Sequence, residues 1–599
     1  MSRLIVAIVA ALLLILTSSS GADAQIAITT VYEPPLAAQG TNQSAPQWAN
    51  LLGNSLFYYD AQRAGVLPAD FRVSWRNNSV LNDGNDVGLN LSAGYFDAGN
   101  FIKVTLPLSW AMSEIAWGAT LYGRAFESSN QTPYLDEVLR NGLDWLLEAT
   151  SLNTTVVVQV GTNQDNYWGG DQSIPTNRPS YTVSQQHPGT DVVASTAAAF
   201  AAGYLLYSGT AAPLSATSGK RGTVPSALKD DAYAQTLLAR ARYLFDYAQS
   251  AQPQQVAQRV VAAVVQSYPS SDWRDKLAFA GAMLTLATGD AGLANQTLSV
   301  YSDLNMPQIG GVLSWDGRAP GVSLLMAQAA VAHPQLGLNL TRFQSDTEAW
   351  LDTFADGSPS KGSGISFTPG GMAYWSGYSA TSSLNPALNA AVVALAYEGF
   401  ATTASKASTY RAYALSQINY MCGNNPMNAV YVVGQSPNSA TNPHSALASG
   451  GNNINDIGEL SCLNHLLHLF DLHFPYSLTD NSPPVEAYVL YGAAVGGPDA
   501  DDNFYNERSD YGQSEPALDL QAPLVVLAAS QVANNTAGQP FYVTLTAARV
   551  QPVRGGGGGG IPEGGKIAIA VIVLVVVFGA AGAIAWWKRE SIRYWWRYK

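Results

Sequence analysis

Charge, cysteine and histidine are all scarce in this chain of 599 residues, and each scarcity excludes something. Only 12% of residues are charged while 47% are apolar, so material for a large core is present and disorder is not the default. Two cysteines, Cys422 and Cys462, exclude a disulfide-stapled scaffold; they can form one bridge or stand as two buried thiols. Of six histidines, His465, His468 and His473 share the segment "NHLLHLFDLH". The first two could face a metal, but no carboxylate partner accompanies them, and an amphipathic stretch around Leu466, Leu467 and Leu469 is the simpler reading. The phosphate-binding loop, the dinucleotide glycine pattern, HExxH and G-x-S-x-G are absent, and no repeat of fixed period is evident.

Basic residues are also in deficit. The formal charge is −13, and the last twelve residues, "KRESIRYWWRYK", contribute +4, which leaves −17 for everything before them. Such a body repels polyphosphates, so nucleic acid is not an expected partner, whereas neutral polymers are indifferent to it.

Long apolar runs are confined to the two ends. Residues 1–24 pass from Arg3 through an apolar core to Ala22-Asp23-Ala24, the layout of a cleaved secretory signal. Residues 567–587, "IAIAVIVLVVVFGAAGAIAWW", hold 21 uncharged residues, enough to cross a lipid bilayer. Trp586 and Trp587 stand at an aromatic belt, and Lys588 and Arg589 follow, which predicts a cytosolic C-terminus and an extracytoplasmic body. The basic extension disfavours a glycolipid-anchor signal. Sequons at Asn42, Asn77, Asn90, Asn130, Asn153, Asn295, Asn339 and Asn534 agree with the secretory pathway. The expected division is a leader 1–24, a linker 25–47, a body 48–533, a stalk 534–553, a Gly-rich tether 554–565 reaching roughly 20 Å, the span 567–587 and a tail 588–599.

The body reads as all-α. "AYAQTLLARARYLFDYAQS" spaces Leu237, Leu238, Ala241, Leu244, Phe245 and Ala248 along one helix face. "DVVASTAAAFAAGYLLY" is apolar almost all round, as an inner helix would be, and "DWRDKLAFAGAMLTLATGD" predicts a C-cap at Gly289. Long Gly-, Pro-, Ser- and Asn-rich loops separate the helices, and carboxylates stand in them among aromatics. In "GYFDAGNFIKV", Asp97 is followed by Asn100 rather than by a second carboxylate. "GGPDADDNFYNERSDYGQSEPALD" supplies Asp499, Asp501, Asp502, Glu507, Asp510 and Glu515; a solvated loop accounts for most of these. Glu515 differs, because it precedes Pro516 and an apolar run, so it stands at the mouth of a core helix where burial would raise its pKa.

These residues carry a resemblance. "LFYYDAQRAGVLPADFRVSWRNNSVLNDGNDVGLNLSAGYFDAGN", "SFTPGGMAYWSGY", "CGNNPMNAVYVVG", "NPHSALASG" and "VGGPDADDNFYNERSDYGQSEPALD", in this order, are similar to the family-nine glycoside hydrolases, cellulases with an (α/α)6 barrel. The resemblance implies hydrolysis of internal β-1,4-glucosidic bonds with inversion, in which one carboxyl protonates the leaving oxygen and another deprotonates the attacking water. It places the acid at Glu515, and it places two aspartates where Asp97 and Asn100 stand, with Asn100 at the usual base position. An amide cannot take a proton from water, so Asp97 becomes the base candidate. Asp510 is expected to support the acid loop, His444 to touch substrate, and Trp168, Trp375 and Tyr378 to offer sugar-stacking faces, though each of these three could equally be core. The resemblance also implies positions that are lost: Ser445 and Ala446 replace a histidine and an arginine, and Ser195 replaces a glutamate. No cofactor is required; structural calcium is compatible, with no ligand set mapped. The expected activity is a membrane-anchored endo-β-1,4-glucanase acting on β-glucan. Two alternatives stand beside it: a catalytically impaired glucan-binding protein, and a hydrolase retuned to another wall polysaccharide.

Overall fold

The computed structural model describes residues 46–162, 167–217, 219–303, 311–449, 486–534 and 538–552. The leader 1–24, the tether 554–565, the span 567–587, the tail 588–599, Cys462, His465, His468 and His473 lie outside the described residues. Cys422 is fully buried.

Among the described residues the chain is mostly helical, with few strands. Twelve α-helices of 12 residues or more follow one another: α1 Pro46–Gln62, α2 Thr105–Ser128, α3 Thr132–Ala149, α4 Thr190–Tyr207, α5 Asp231–Ser250, α6 Arg274–Thr288, α7 Ala291–Asp303, α8 Ala319–Ala332, α9 Leu340–Leu351, α10 Leu384–Tyr397, α11 Ala404–Met421 and α12 Leu518–Asn534. The even-numbered helices contact each other in turn, and α12 returns to α2, so they close a ring. Each odd-numbered helix packs outside one of them: α3 on α2, α5 on α4, α7 on α6, α9 on α8, α11 on α10 and α1 on α12.

Composition decides which helix goes where. Helix α4 buries every residue except Tyr204, as its unbroken apolar surface requires. Helix α5 buries Ala234, Leu237, Ala241, Leu244, Phe245 and Ala248 and turns Gln235, Arg242 and Asp246 to solvent. The single stripe makes it an outer helix. Helix α6 ends at Gly289, whose φ of 63° supplies the left-handed cap expected there. One described helical stretch, Tyr511–Asn534, is long and apolar enough to cross a membrane, but it is buried as part of the ring.

Among the described residues, strands occur only in the long segments that lead into inner helices. β1 Lys103–Val104, β2 Thr155–Val160 and β3 Ser180–Ser184 form an antiparallel sheet in which Val104 pairs with Gln159 and Val156 with Val183. β4 Ile365–Phe367 and β5 Ala373–Trp375 make a hairpin with Ile365 opposite Trp375. Both structures brace loops that enter α2, α4 and α10.

Of the stretch 534–553, expected as a stalk, residues 538–550 are laid against the body. Tyr542 is buried and donates to the Gln47 carbonyl at 3.1 Å, and the Val550 amide donates to Met427 O at 2.8 Å. The compact unit accordingly ends at Val550. The apolar side chains of Phe541, Tyr542 and Leu545 are the reason, since they pack onto the core rather than remaining in water.

Close approach of α2 to α12 depends on Gly118, where a Cβ would stand 2.4 Å from Val526 Cγ2. Gly118→Ala should therefore lower stability by about 1–3 kcal/mol through overpacking, although alanine is the better helix former by about 1 kcal/mol. Thermal unfolding of Gly118→Ala, Val526→Ala and the double variant checks this: the double variant should be less destabilised than the two single effects added together.

Candidate active site

The loops that enter the inner helices meet at one end of the ring, and short backbone links join them. Leu518 N, at the start of α12, donates to Asp97 O at 3.0 Å, and Gln62 Nε2 of α1 donates to Ala98 O at 2.7 Å. Gly99 N donates to Glu515 Oε1 at 3.0 Å, a contact that spans 416 positions of sequence. Only glycine suits position 99, because a Cβ would stand 2.4 Å from His444 O and 2.9 Å from Glu515 Oε1. Ala446 N donates back to Gly99 O at 2.7 Å. The loop holding Asp97, the loop holding His444 and the loop holding Glu515 are thus one hydrogen-bonded unit.

Asp97 is 1% exposed, and its Oδ2 accepts from the Tyr268 hydroxyl in a short hydrogen bond, while its Oδ1 has no hydrogen-bond partner among the described residues. Burial pushes its carboxyl well above the usual range, the Asp519 and Glu515 charges push it further, and the Tyr268 hydrogen bond opposes them. Asn100 Oδ1 accepts from Ile102 N at 3.2 Å, so its amide oxygen is engaged within its own loop. Glu515 is partly exposed at the end of the short helical turn Tyr511–Ser514. Asp510 begins that turn, and its carbonyl accepts from Gln513 N at 3.0 Å and Ser514 N at 2.9 Å. Its backbone shapes the acid loop.

His444 Nδ1 lies 2.7 Å from Arg508 O, and because a carbonyl only accepts, Nδ1 carries a proton, which in the neutral ring leaves Nε2 as the acceptor. The Trp168 ring lies 4.6 Å from the His444 ring, which brings this tryptophan to the carboxylate pair, although it is only 3% exposed. Tyr378 is 42% exposed and lies within electrostatic reach of Asp316. Trp375 is different: it is 3% exposed and set edge-on to Phe354 at 5.3 Å, so the expected stacking face belongs to the core. Its position in β5, opposite Ile365, turns it inward.

Several residues of the site carry little or no signal in the sequence. Tyr268 stands in an undistinguished "SYPSSDW", yet it meets Asp97 and packs edge-on to Trp315 at 4.8 Å. Asp519 lies in the first turn of α12, one turn beyond Glu515. It is 2% exposed and hydrogen-bonded by Asn385 of α10, and burial lifts its carboxyl to about 6. Its place after an ionisable loop and inside an apolar run was the available clue. Arg318 is fully buried over the Trp110 ring at 4.3 Å, with burial drawing its pKa down to about 10. Its Nη2 donates to Ser195 Oγ at 2.9 Å, a hydroxyl where the resemblance implies a carboxylate.

Comparison with known proteins matches this assembly. The family model described as "Glycosyl hydrolase family 9" matches residues 48–528. Endoglucanase A of Bacillus pumilus is 31% identical over 486 residues, which cover 79% of this chain and 64% of that protein. Endoglucanase 14 of Arabidopsis thaliana is 31% identical over 497 residues, covering 80% of this chain and 93% of the plant protein. A termite endoglucanase from Nasutitermes takasagoensis, solved at pH 2.5, superposes with a TM-score of 0.67 at 29% identity and covers 81% of this chain and 98% of its own. The chain spans 64% and 44% of the lengths of two of the bacterial relatives it matches. With the family model matched over most of its length and a closed ring of helices carrying the loops, the chain belongs to glycosyl hydrolase family 9.

Proposed function

We propose that this protein is an endo-β-1,4-glucanase of the cellulase type, with its active site on an (α/α)6 barrel built from the six inner and six outer helices. The observation that carries the reading is the pairing of Glu515 with the Asp97 loop through Gly99, which sets two carboxyl groups on facing loops at the ring's end. Glu515, partly exposed, donates its proton to the leaving glucosidic oxygen. Asp97, whose Oδ1 has no hydrogen-bond partner among the described residues, takes the proton of the attacking water, and the product keeps the inverted anomeric configuration. Its raised pKa makes it a stronger base than an ordinary aspartate once ionised. His444 Nε2 accepts from a sugar hydroxyl, Trp168 packs behind the His444 ring, and the exposed ring of Tyr378 offers a stacking face.

Asn100 supports a second reading, a glucan-binding protein with little turnover, because the residue at the usual base position has its amide oxygen engaged by Ile102 N. A hydrolase retuned to another wall polysaccharide draws on the same losses at Ser445 and Ala446. The body faces the extracytoplasmic side, anchored through 567–587; the seven described sequon asparagines (Asn77, Asn90, Asn130, Asn153, Asn295, Asn339 and Asn534) are all exposed, as glycosylation requires.

Reducing-end release from carboxymethyl cellulose by the full chain tests the reading. Wild type should turn over, Glu515→Gln and Asp97→Asn should each lose a factor of about 10²–10⁴, and Asn100→Asp should be faster than wild type. Proton NMR of the first products should show the α-anomer. A wild type that binds cellulose without release and is revived by Asn100→Asp would establish the binding reading, and release from xylan or glucomannan alone the retuned one.

The pH profile follows from the base. Asp97 works only when ionised, so activity should fall on the acid side as the pH drops through its raised pKa, above the ordinary aspartate range. Asp519→Asn removes a charge that raises this pKa and should move the acid limb down; Tyr268→Phe removes the hydrogen bond that lowers it and should move the limb up. Limbs that stay in place in both variants would remove Asp97 from the base role.

A further inference from the structure

The resemblance is compatible with structural calcium, which takes six to eight oxygen ligands. Among the described residues no group of three or more His, Cys, Asp or Glu side chains is placed to hold a metal ion. A different cation occupies the most suggestive position. Lys276, in the first turn of α6, is fully buried. An ammonium has three donors, and those of Lys276 meet three oxygens: the Asp316 carbonyl in a short contact, Asp316 Oδ1 at 3.2 Å and Asp275 Oδ1 at 3.2 Å. Asp191 is near enough for the Lys276 charge to counter the burial that lifts its carboxyl to about 6.

A buried lysine in the first turn of a helix is doubly disfavoured, by desolvation and by the positive end of the helix dipole. Its aspartate partners are what hold it there. They are buried too, and each ties down a neighbouring segment: Asp316 Oδ1 accepts from Ser271 N at 2.6 Å, and Asp275 Oδ2 from Arg318 N at 2.7 Å. Those segments carry Tyr268 and Trp315, whose rings meet at 4.8 Å, and Tyr268 reaches Asp97.

We propose that Lys276 is the resident cation of this cluster: its ammonium does for Asp275 and Asp316 what a calcium ion would do, so the wall bearing Tyr268 and Trp315 is held without metal. The inference goes beyond the glucanase reading, and its readout is thermal, so it stands or falls whatever polymer is cleaved.

The test is the thermal midpoint of the full chain in chelator and in millimolar calcium chloride. Wild type should differ by less than about 1 °C between the two. Lys276→Glu exchanges the ammonium for a third carboxylate; its midpoint should fall by several degrees in chelator, and calcium, binding the folded state alone, should raise it again. Lys276→Met should fall likewise, without that recovery in calcium. A wild type destabilised by chelator and restored by calcium would overturn the proposal, as would a Lys276→Glu midpoint indifferent to calcium. Should Lys276→Glu yield no folded protein, the wild-type comparison decides alone.

Discussion

The structure depends on burying negative charge where the inner helices begin. Asp191, Asp275 and Asp519 each stand in the first turn of an inner helix, all nearly without solvent, and Asp97 joins them from the loop that α12 caps. A carboxylate at a helix N-terminus gains roughly 0.3–1 kcal/mol from the dipole, and up to about 2 when partly buried, which is less than burial of an unpaired charge costs. The remainder is met by donors. Ala257 N serves Asp191, Arg318 N and Lys276 serve Asp275, Asn385 serves Asp519, and Tyr268 serves Asp97. Apart from Lys276, which neighbours Asp275 in α6, each donor comes from a different element from its acceptor, so satisfying the carboxylates also fixes the loops against one another.

That arrangement explains why Asp97 and Asp519 remain poised rather than permanently ionised. Donors offset part of the desolvation, but burial is still the largest influence on both, and each carboxyl is raised. Raised carboxyls bind protons in the folded state that the unfolded chain releases. Their contribution to stability is complete below the ordinary carboxylate range and is lost as the pH rises through their folded values, about 6 for Asp519 and Asp191. The site is therefore bought partly with stability at neutral pH, as expected where function demands a buried acid group.

Much of this was legible in the chain itself. The all-apolar surface of α4, the stripe of α5 and the glycine ending α6 announce helices, and they even sort inner from outer. Asp97 and Glu515 were legible because they sit in Gly- and aromatic-rich loops next to apolar runs. What stayed hidden was pairing across long distances. Nothing local marks Tyr268, Lys276 or Asn385 as partners of Asp97, Asp316 and Asp519, because each is an ordinary polar residue whose meaning lies in what the closed ring brings near. Trp375 fails in the opposite sense: an aromatic in a Gly-rich loop has the same appearance whether its strand turns it to the cleft or, as here, to Phe354. Nothing in the sequence marks residues 538–550 as part of the body, because their anchoring apolar residues, Phe541, Tyr542 and Leu545, are too few to form a pattern.

The substitution at position 100 is best weighed against Asp519. In a site with two neighbouring carboxylates, each raises the other's pKa, so losing one would leave the survivor a weaker base. Here Asn100 contributes no charge, but Asp519 does, and it is the charge acting most strongly on Asp97, ahead of Glu515. Asp519 is held by Asn385 beneath the loops, inside the first turn of α12, where it is shut off from solvent. A carboxylate there sustains the basicity of Asp97 without competing for the attacking water. The electrostatic half of the usual pair is thus supplied from below, and only its second water-holding oxygen is replaced by an amide. If Asp97 is the base, as proposed, the loss at position 100 weakens positioning more than it weakens proton abstraction.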